Sequence, residues 1–205
     1  MNDIRNLKKT IQHLILHSPF LEDIGLFHGK LGISIVLYHY ARYTNDSLYE
    51  NIADNLLEQV ITAIPPSIPI GISNGTCGIG WGICHLLENG FIDGDADEIL
   101  QIIDSRVLEY NPLNYIDLSF ENGLQGLYTY VMKRNKTNNG SNYIYPIKFL
   151  QDLEKRMSSD NSLSNILITD FVNRKAIAHS RFKENWFNLG LHEGYAGKAL
   201  LIMNV

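Results

Sequence analysis

Apolar residues recur three or four positions apart along most of the chain, which predicts a succession of helices. The first is an amphipathic helix over residues 4–17, where the apolar positions include Leu7, Ile11 and Leu14. Further helices are expected over residues 30–43, 48–61, 79–88, 95–110, 124–134, 143–157 and 162–178, with a last apolar helix at the C-terminus. The pattern alternates strongly apolar helices with amphipathic ones, as expected for inner and outer helices of an all-α protein.

A Gly-x-x-Gly pair precedes four of these helices. The first glycines of the pairs are Gly29, Gly75, Gly123 and Gly194, separated by 46, 48 and 71 residues. A period near 45 residues corresponds to two helices and two turns, the size of a helical-hairpin repeat. The longer last interval, which carries the predicted helix over residues 162–178, fits an extra or decayed helix pair, and an insertion would look the same.

The stretch from residue 71 to 90, GISNGTCGIGWGICHLLENG, is the most glycine-rich part of the chain. Glycine inside a helix costs roughly 1 kcal/mol relative to alanine. Several glycines in one turn therefore indicate a close approach, most commonly by another backbone. Asn74 is a good N-cap residue, so this stretch predicts a buried helix that begins in a crowded centre.

Polar residues and prolines mark the other helix boundaries. Asp46 or Ser47 can cap the helix over residues 48–61, and Asp95 can cap the helix that follows the central one. Prolines at 65, 66 and 69 end the former helix, because proline cannot continue it. Residues 135–142, NKTNNGSN, have the composition of a loop.

Composition limits the classes of function. With 205 residues, 45% of them hydrophobic, the chain can form one sizeable core, and we expect a single domain over residues 1–205. The net charge of −5 provides no basic face for nucleic acid. No apolar run reaches about 18 residues, so no membrane span is predicted. The only cysteines, Cys77 and Cys84, are too few for a disulfide framework, which favours a reducing, cytoplasmic setting.

Three phrases resemble a known family: GLFHGKLGISIVLYHYAR, GISNGTCGIGWGICHLLENGFIDGDADEIL and LGLHEGYAGKALL. They are similar to the lanthionine synthetase C-like family, in particular its divergent bacterial members of the Bacteroides type. The resemblance implies an α/α toroid whose inner helices point glycine-rich N-terminal turns into a central cavity. With four motifs the ring could be incomplete. The resemblance also implies zinc-dependent addition of a cysteine thiolate of a precursor peptide to dehydroalanine or dehydrobutyrine.

The family's site residues carry over only in part. The family's acid/base histidine, which precedes one glycine motif, corresponds to His28. The family's Cys-His zinc pair corresponds to His192 and Glu193, and the other turns offer Ser73-Asn74 and Glu121-Asn122. Both expected ligand cysteines are therefore absent, which puts zinc-thiolate chemistry by this chain in doubt.

The remaining candidates stand at the helix starts. His28 is expected to act as an acid/base residue or as a ligand. Alternatively it is a helix cap, in the position that asparagine occupies before Gly75 and Gly123. His192 and Glu193, together with His28, could bind zinc, since histidine and carboxylate ligands suit that metal. Asn74, Glu121 and Asn122 are candidates for binding a ligand or, alternatively, for capping, as is Asp23.

Other signals have simpler explanations. Cys84 and His85 form a Cys-His pair, but inside a helix and after the turn, so Cys84 is expected to be a small buried residue, as is Cys77. The glycine pattern GTCGIGWG also invites a nucleotide-binding interpretation. That interpretation fails because no strand or βαβ unit surrounds the motif.

Two main classes of function are consistent with these features, and a third is a weaker alternative. The chain could modify a precursor peptide, or it could be a non-catalytic helical scaffold that binds a peptide or a partner enzyme. A carbohydrate-active toroid is the weaker alternative, and its acidic pair would be Glu121 and Glu193. An incomplete ring would expose apolar faces, so self-association or a companion chain is also expected.

Overall fold

The structure is a computed structural model that describes residues 2–65, 67–137, 144–159 and 188–204. Within these ranges the chain forms helices and turns and no strand, which confirms the all-α class. The α-helices are α1 Asn2–His17, α2 Lys30–Thr44, α3 Ser47–Thr62, α4 Thr76–Glu88, α5 Ala96–Leu108, α6 Leu124–Thr137, α7 Ile147–Ser158 and α8 Tyr195–Met203. Short 3₁₀ turns occupy Ser18–Phe20 and Pro112–Asn114. None of the helices in the described ranges is long and apolar enough to cross a membrane.

Most predicted helix boundaries lie within a few residues of the observed ones. The predicted loop over residues 135–142 is wrong at its start, because α6 continues beyond Arg134 to Thr137. The hydroxyl of Thr137 donates to the Lys133 carbonyl and to Glu88 of α4, which holds this last turn in place. The predicted helix over residues 162–178 lies outside the described residues.

Side-chain caps are confirmed at two helices. Asp46 accepts a hydrogen bond from the Leu48 N–H at 3.0 Å at the start of α3, and Asp95 accepts one from the Asp97 N–H at 2.8 Å at the start of α5. Asn74 was expected to cap α4, and this prediction is wrong. The cap position is Gly75, which has no side chain, and no side-chain capping bond is made there.

The described residues divide into two compact units. The first unit contains α1, α2, α3 and α8; α2 packs against α3 and α8, and α1 packs against α8. The second unit contains α4 to α7; α4 packs against α5 and α6, and α7 packs against α6 and the Pro112–Asn114 turn. The single domain and the arrangement of the helices in a ring, which could be incomplete, depend on how the two units combine, and both stay predictions.

In the first unit α2 is buried from Leu31 to Ala41, as expected for a helix that is apolar on all sides. The neighbouring α3 buries one stripe, which includes Ala53 and Val60. The Ser34 hydroxyl of α2 donates to the Ala53 carbonyl at 2.9 Å. The alternation of inner and outer helices predicted from the sequence is therefore present in this hairpin.

In the second unit α4 lies against α6, and Gly80 lies at their closest contact. A Cβ atom on Gly80 would lie 2.4 Å from the aromatic ring of Tyr130. The sequence attributed the mid-helix glycines of α4 to another backbone. At Gly80 that reason is wrong, since the neighbour is a buried aromatic side chain. Any larger residue at this position would force the Tyr130 ring or one of the two helices to shift.

Candidate functional site at the paired glycine turns

All four glycine turns are closed in the same way. The N–H of the first helical residue donates to the carbonyl of the residue six positions before the first glycine. The closing bonds are Lys30 to Asp23 at 2.8 Å, Thr76 to Pro69 at 2.7 Å, Leu124 to Asp117 at 2.9 Å, and Tyr195 to Asn188 at 3.0 Å. This bond satisfies a backbone donor that a helix start leaves unpaired, so the turn needs no capping side chain.

The closed turn requires glycine at its first position because its own backbone folds back over that residue. A Cβ atom there would lie 2.2 Å from a backbone atom at Gly29 and Gly75, 2.3 Å at Gly123 and 2.4 Å at Gly194. These separations are far below van der Waals contact. The four glycines that defined the repeat in the sequence are therefore required by one common turn geometry.

The turns associate in pairs, one pair in each unit. In the first unit the N–H of His192 donates to the carbonyl of Phe27 at 3.0 Å. In the second unit the N–H of Ser73 donates to the carbonyl of Glu121, also at 3.0 Å. All four residues stand two positions before their first glycine, so the two pairs are equivalent.

Packing beside these hydrogen bonds repeats as well. A Cβ atom on Gly32 would lie 2.8 Å from the Leu191 side chain, and one on Gly126 would lie 3.0 Å from the Ile72 side chain. The second glycine of one turn thus receives an apolar side chain from the other turn in each unit.

A third shared feature fixes which turn matches which. Asp23 accepts a hydrogen bond from the Gly25 N–H at 2.7 Å, and Asp117 accepts one from the Ser119 N–H at 2.8 Å. Asp23 and Asp117 are therefore turn residues, and the capping role considered for Asp23 is wrong. The turn before α2 matches the turn before α6, and the turn before α8 matches the turn before α4.

The first unit brings together three residues that the sequence singled out. The rings of His28 and His192 have centroids 5.4 Å apart, and the ring of Phe27 lies 5.9 Å from that of His192. The carboxylate Oε1 of Glu193 lies 3.7 Å from Nε2 of His192. His192 is buried, whereas His28 and Glu193 are partly exposed. We call His28, His192 and Glu193 the histidine cluster.

The backbone of Glu193 has an unusual conformation. Its φ is +57°, in the left-handed region that non-glycine residues rarely adopt. The side-chain amide of Asn188 donates to the Glu193 carbonyl at 2.8 Å. Asn188 was missed in the sequence, although Asp23, Asp117 and Asn188 share the position six residues before a first glycine.

The second unit places neutral polar side chains where the first unit has the histidine cluster. By the equivalence of the turns, Asn122 stands in the place of His28, Ser73 in that of His192 and Asn74 in that of Glu193. The Ser73 hydroxyl donates to Oδ1 of Asn74 at 3.0 Å. Asn74 and Asn122 are exposed, so their amides can reach a ligand. Glu121 contributes its backbone carbonyl to the turn pair.

The described residues do not fit a zinc-thiolate centre. Both cysteines are fully buried within α4, as the sequence predicted, and neither belongs to a turn. Burial raises the pKa of the Cys84 thiol to about 11, and burial followed by the negative charge of Asp104 raises that of Cys77 well above its ordinary value. Across the described ranges, no group of three His, Cys, Asp or Glu side chains is arranged to hold a metal ion. We therefore assign no step to zinc.

The acidic pair considered for a carbohydrate-active enzyme does not lie within one unit. Glu121 belongs to the second unit and Glu193 to the first. Neither unit by itself therefore contains this particular pair of carboxylates, which was the pair considered for glycoside hydrolysis.

A cavity of about 750 Å³ lies away from the turns, at the C-terminal ends of α4 and α6. Its wall includes Glu88 and Asp97. Both are already paired, Glu88 with Lys133 and Asp97 with Arg134. These ion pairs offset the charges of Glu88 and Asp97, while Asp93, Asp95 and Lys136 also line the cavity.

These features define a class of all-helical protein in which glycine turns present polar side chains in pairs at helix N-termini. The sequence model of the lanthionine synthetase C-like protein family matches residues 3–186, most of the chain. The protein belongs to the lanthionine synthetase C-like family. No curated protein sequence matches it.

Proposed function

We propose that this protein acts in peptide modification, forming thioether bonds on a precursor peptide at the histidine cluster. The observation that supports this most is the asymmetry between two equivalent turn pairs. One unit carries two imidazoles and a carboxylate, while the other carries Ser73, Asn74 and Asn122 at the same positions. The shared turn geometry does not need the imidazoles, so their presence in one pair points to chemistry there.

The proposed reaction is the addition of a cysteine thiol to a dehydroamino acid. The thiol loses its proton to a base, and its sulfur forms a bond with the β-carbon of the alkene. The electron pair of the double bond moves to the α-carbon, giving an enolate, which then takes up a proton. A histidine can perform both proton transfers, and such general acid–base catalysis contributes about 10²–10⁴-fold in rate.

His28 is the proposed acid/base residue, because it is partly exposed while its neighbour His192 is buried. The ring of His192 lies against that of His28, and the carboxylate of Glu193 lies beside His192. We propose that these two residues support His28. In the second unit, the exposed amides of Asn74 and Asn122 and the side chain of Glu121 are proposed to bind peptide groups. The free, buried cysteines accord with a reducing, cytoplasmic setting.

A non-catalytic scaffold that binds a peptide or a modifying partner enzyme is the second candidate. The observation that favours it is that the thiols of Cys77 and Cys84 are buried in α4, so neither can serve as a thiolate ligand at the turns.

The experiment uses a synthetic peptide that contains one dehydroalanine and one cysteine. Cyclisation leaves the mass unchanged but removes the free thiol, so mass spectrometry after iodoacetamide treatment separates substrate from product. Because the turn pairs of the two units are equivalent, each histidine can be replaced by the residue at the matching position of the other unit. These variants are His28→Asn and His192→Ser. We expect both to fold and His28→Asn to lower the rate by about 10²-fold or more.

Two results decide between the candidates. Binding of this peptide, followed with a fluorescently labelled form of it, without any product at high protein concentration would favour the scaffold. If turnover is unchanged in His28→Asn, the histidine cluster does not perform the proton transfers and the proposed function is wrong.

A further inference from the structure

Glu193 has a backbone conformation that its turn does not require. Within the described ranges, the non-glycine residues with positive φ are Asn45, Glu193 and Asn204. Asn45 and Asn204 end α2 and α8 as left-handed C-caps, a role in which asparagine is common. Glu193 has no such role, because it precedes a helix.

The matching turn shows that the closing bonds form without this conformation. Asn74 occupies the same position before α4 and has no positive φ. Both turns nevertheless make the same closing bond and the same bond to their partner turn. The unfavourable conformation of Glu193 therefore belongs to this one residue and is not a property of the turn.

The two turns differ at the position of Asn188. Its side-chain amide donates to the Glu193 carbonyl at 2.8 Å, and the matching position before α4 is Pro69, which has no side-chain donor. This hydrogen bond holds the peptide group after Glu193. With the backbone held in this way, the carboxylate of Glu193 lies 3.7 Å from Nε2 of His192.

We propose that Glu193 is a positioning residue, which Asn188 holds in a left-handed conformation so that its carboxylate keeps the His192 ring against His28. A residue in a strained backbone conformation persists where the surrounding structure holds it there, and such residues cluster at functional sites. The use of this arrangement in thioether formation depends on the proposed function, whereas the positioning itself does not.

The test replaces Glu193 with residues that suit the left-handed backbone but lack the carboxylate. Glu193→Gly removes the strain, and Glu193→Asn introduces both the residue of the matching turn and the type found at the other two left-handed positions. The control is Asn45→Gly, which changes another left-handed residue far along the chain from the cluster. Each protein is analysed by thermal denaturation and by nuclear Overhauser effects between histidine ring protons, assigned with His28→Asn and His192→Ser.

We expect Glu193→Gly to raise the melting temperature by about 2–4 °C, since glycine adopts positive φ without steric penalty. The cross-peaks between His28 and His192 should be lost in Glu193→Gly and Glu193→Asn and retained in Asn45→Gly. A lower melting temperature in both Glu193 variants, or cross-peaks that persist in them, would overturn the proposal. If the cross-peaks are lost as expected but the wild type cyclises no peptide, the positioning role stands and the proposed function fails.

Discussion

The second unit contains a buried ion pair, between Arg134 and Asp104, whose disruption should be strongly destabilising. The side chain of Arg134 on α6 is 1% exposed, and its Nε lies 2.9 Å from Oδ2 of Asp104 on α5. Oδ1 of Asp104 accepts from the hydroxyls of Tyr130 at 2.7 Å and Tyr145 at 2.5 Å. Burial raises the pKa of both tyrosines, which keeps their hydroxyls protonated as donors.

Arg134→Met would remove the cationic partner and leave the Asp104 carboxylate buried with the two hydroxyls. Breaking a buried pair in this way costs about 3–5 kcal/mol, because one charge stays desolvated without its counter-ion. The second bond of Arg134, to Asp97, adds little, since the Asp97 side chain is 64% exposed. We therefore expect a loss of about 3–5 kcal/mol in the free energy of unfolding.

Urea denaturation followed by far-ultraviolet circular dichroism at pH 7 measures this loss. The matched control is Lys133→Met, one residue earlier on α6, which breaks an ion pair with Glu88 whose side chains are 20% and 33% exposed. That control should cost about 1 kcal/mol or less. A double variant, Arg134→Met with Asp104→Leu, should lose less than the sum of the two single changes. If Arg134→Met lowers the free energy of unfolding by no more than Lys133→Met, burial does not make the pair of Arg134 with Asp104 more important than the exposed pair.

Three further predictions concern a buried histidine, the cysteines and the turn glycines. Burial, with a smaller effect of Arg42, lowers the pKa of His39 to about 4. Only the unfolded chain then takes up this proton between its ordinary pKa of about 6.5 and pH 4. Stability should therefore fall by at most about 3 kcal/mol as the pH is lowered through that window; urea titrations of His39→Leu that show the same slope as wild type would contradict this. Cys77 and Cys84 should not react with a thiol reagent at pH 8 until urea unfolds the protein, because both are fully buried; rapid reaction of either in the native protein would be inconsistent with that burial. Gly29→Ala should destabilise the protein by more than about 2 kcal/mol through its backbone clash, whereas Gly90→Ala, at φ +60° with open space around it, should cost about 1 kcal/mol; equal losses in thermal denaturation would argue against the closed turn.

The sequence predicted the features that depend on neighbouring residues. Helix positions in the described ranges and the caps Asp46 and Asp95 follow from local spacing and were confirmed. The Asn74 cap was wrong because a backbone bond from Thr76 to the Pro69 carbonyl closes that turn instead. Asparagine before a helix start is a good capping signal on average, but it gives no information about a turn that pairs its own backbone groups.

Features that join distant parts of the chain were less predictable. The contact between His28 and His192 was expected only through the family resemblance, and the structure brings their rings together. The pairing of Arg134 with Asp104 has no local signal, since either residue reads as an ordinary charged position on a helix. The left-handed conformation of Glu193 was also missed, because it depends on the side chain of Asn188.

In the proposed function the histidine cluster, and not its counterpart in the second unit, carries the chemistry. The most direct measurement is the cyclisation rate of the dehydroalanine peptide with two exchanged variants at matching positions, His28→Asn and Asn122→His. We expect His28→Asn to lower kcat by about 10²-fold or more, while Asn122→His raises KM with little change in kcat, since Asn122 is proposed to bind the peptide. Equal rates for wild type and His28→Asn, with both proteins folded, would contradict the proposed function.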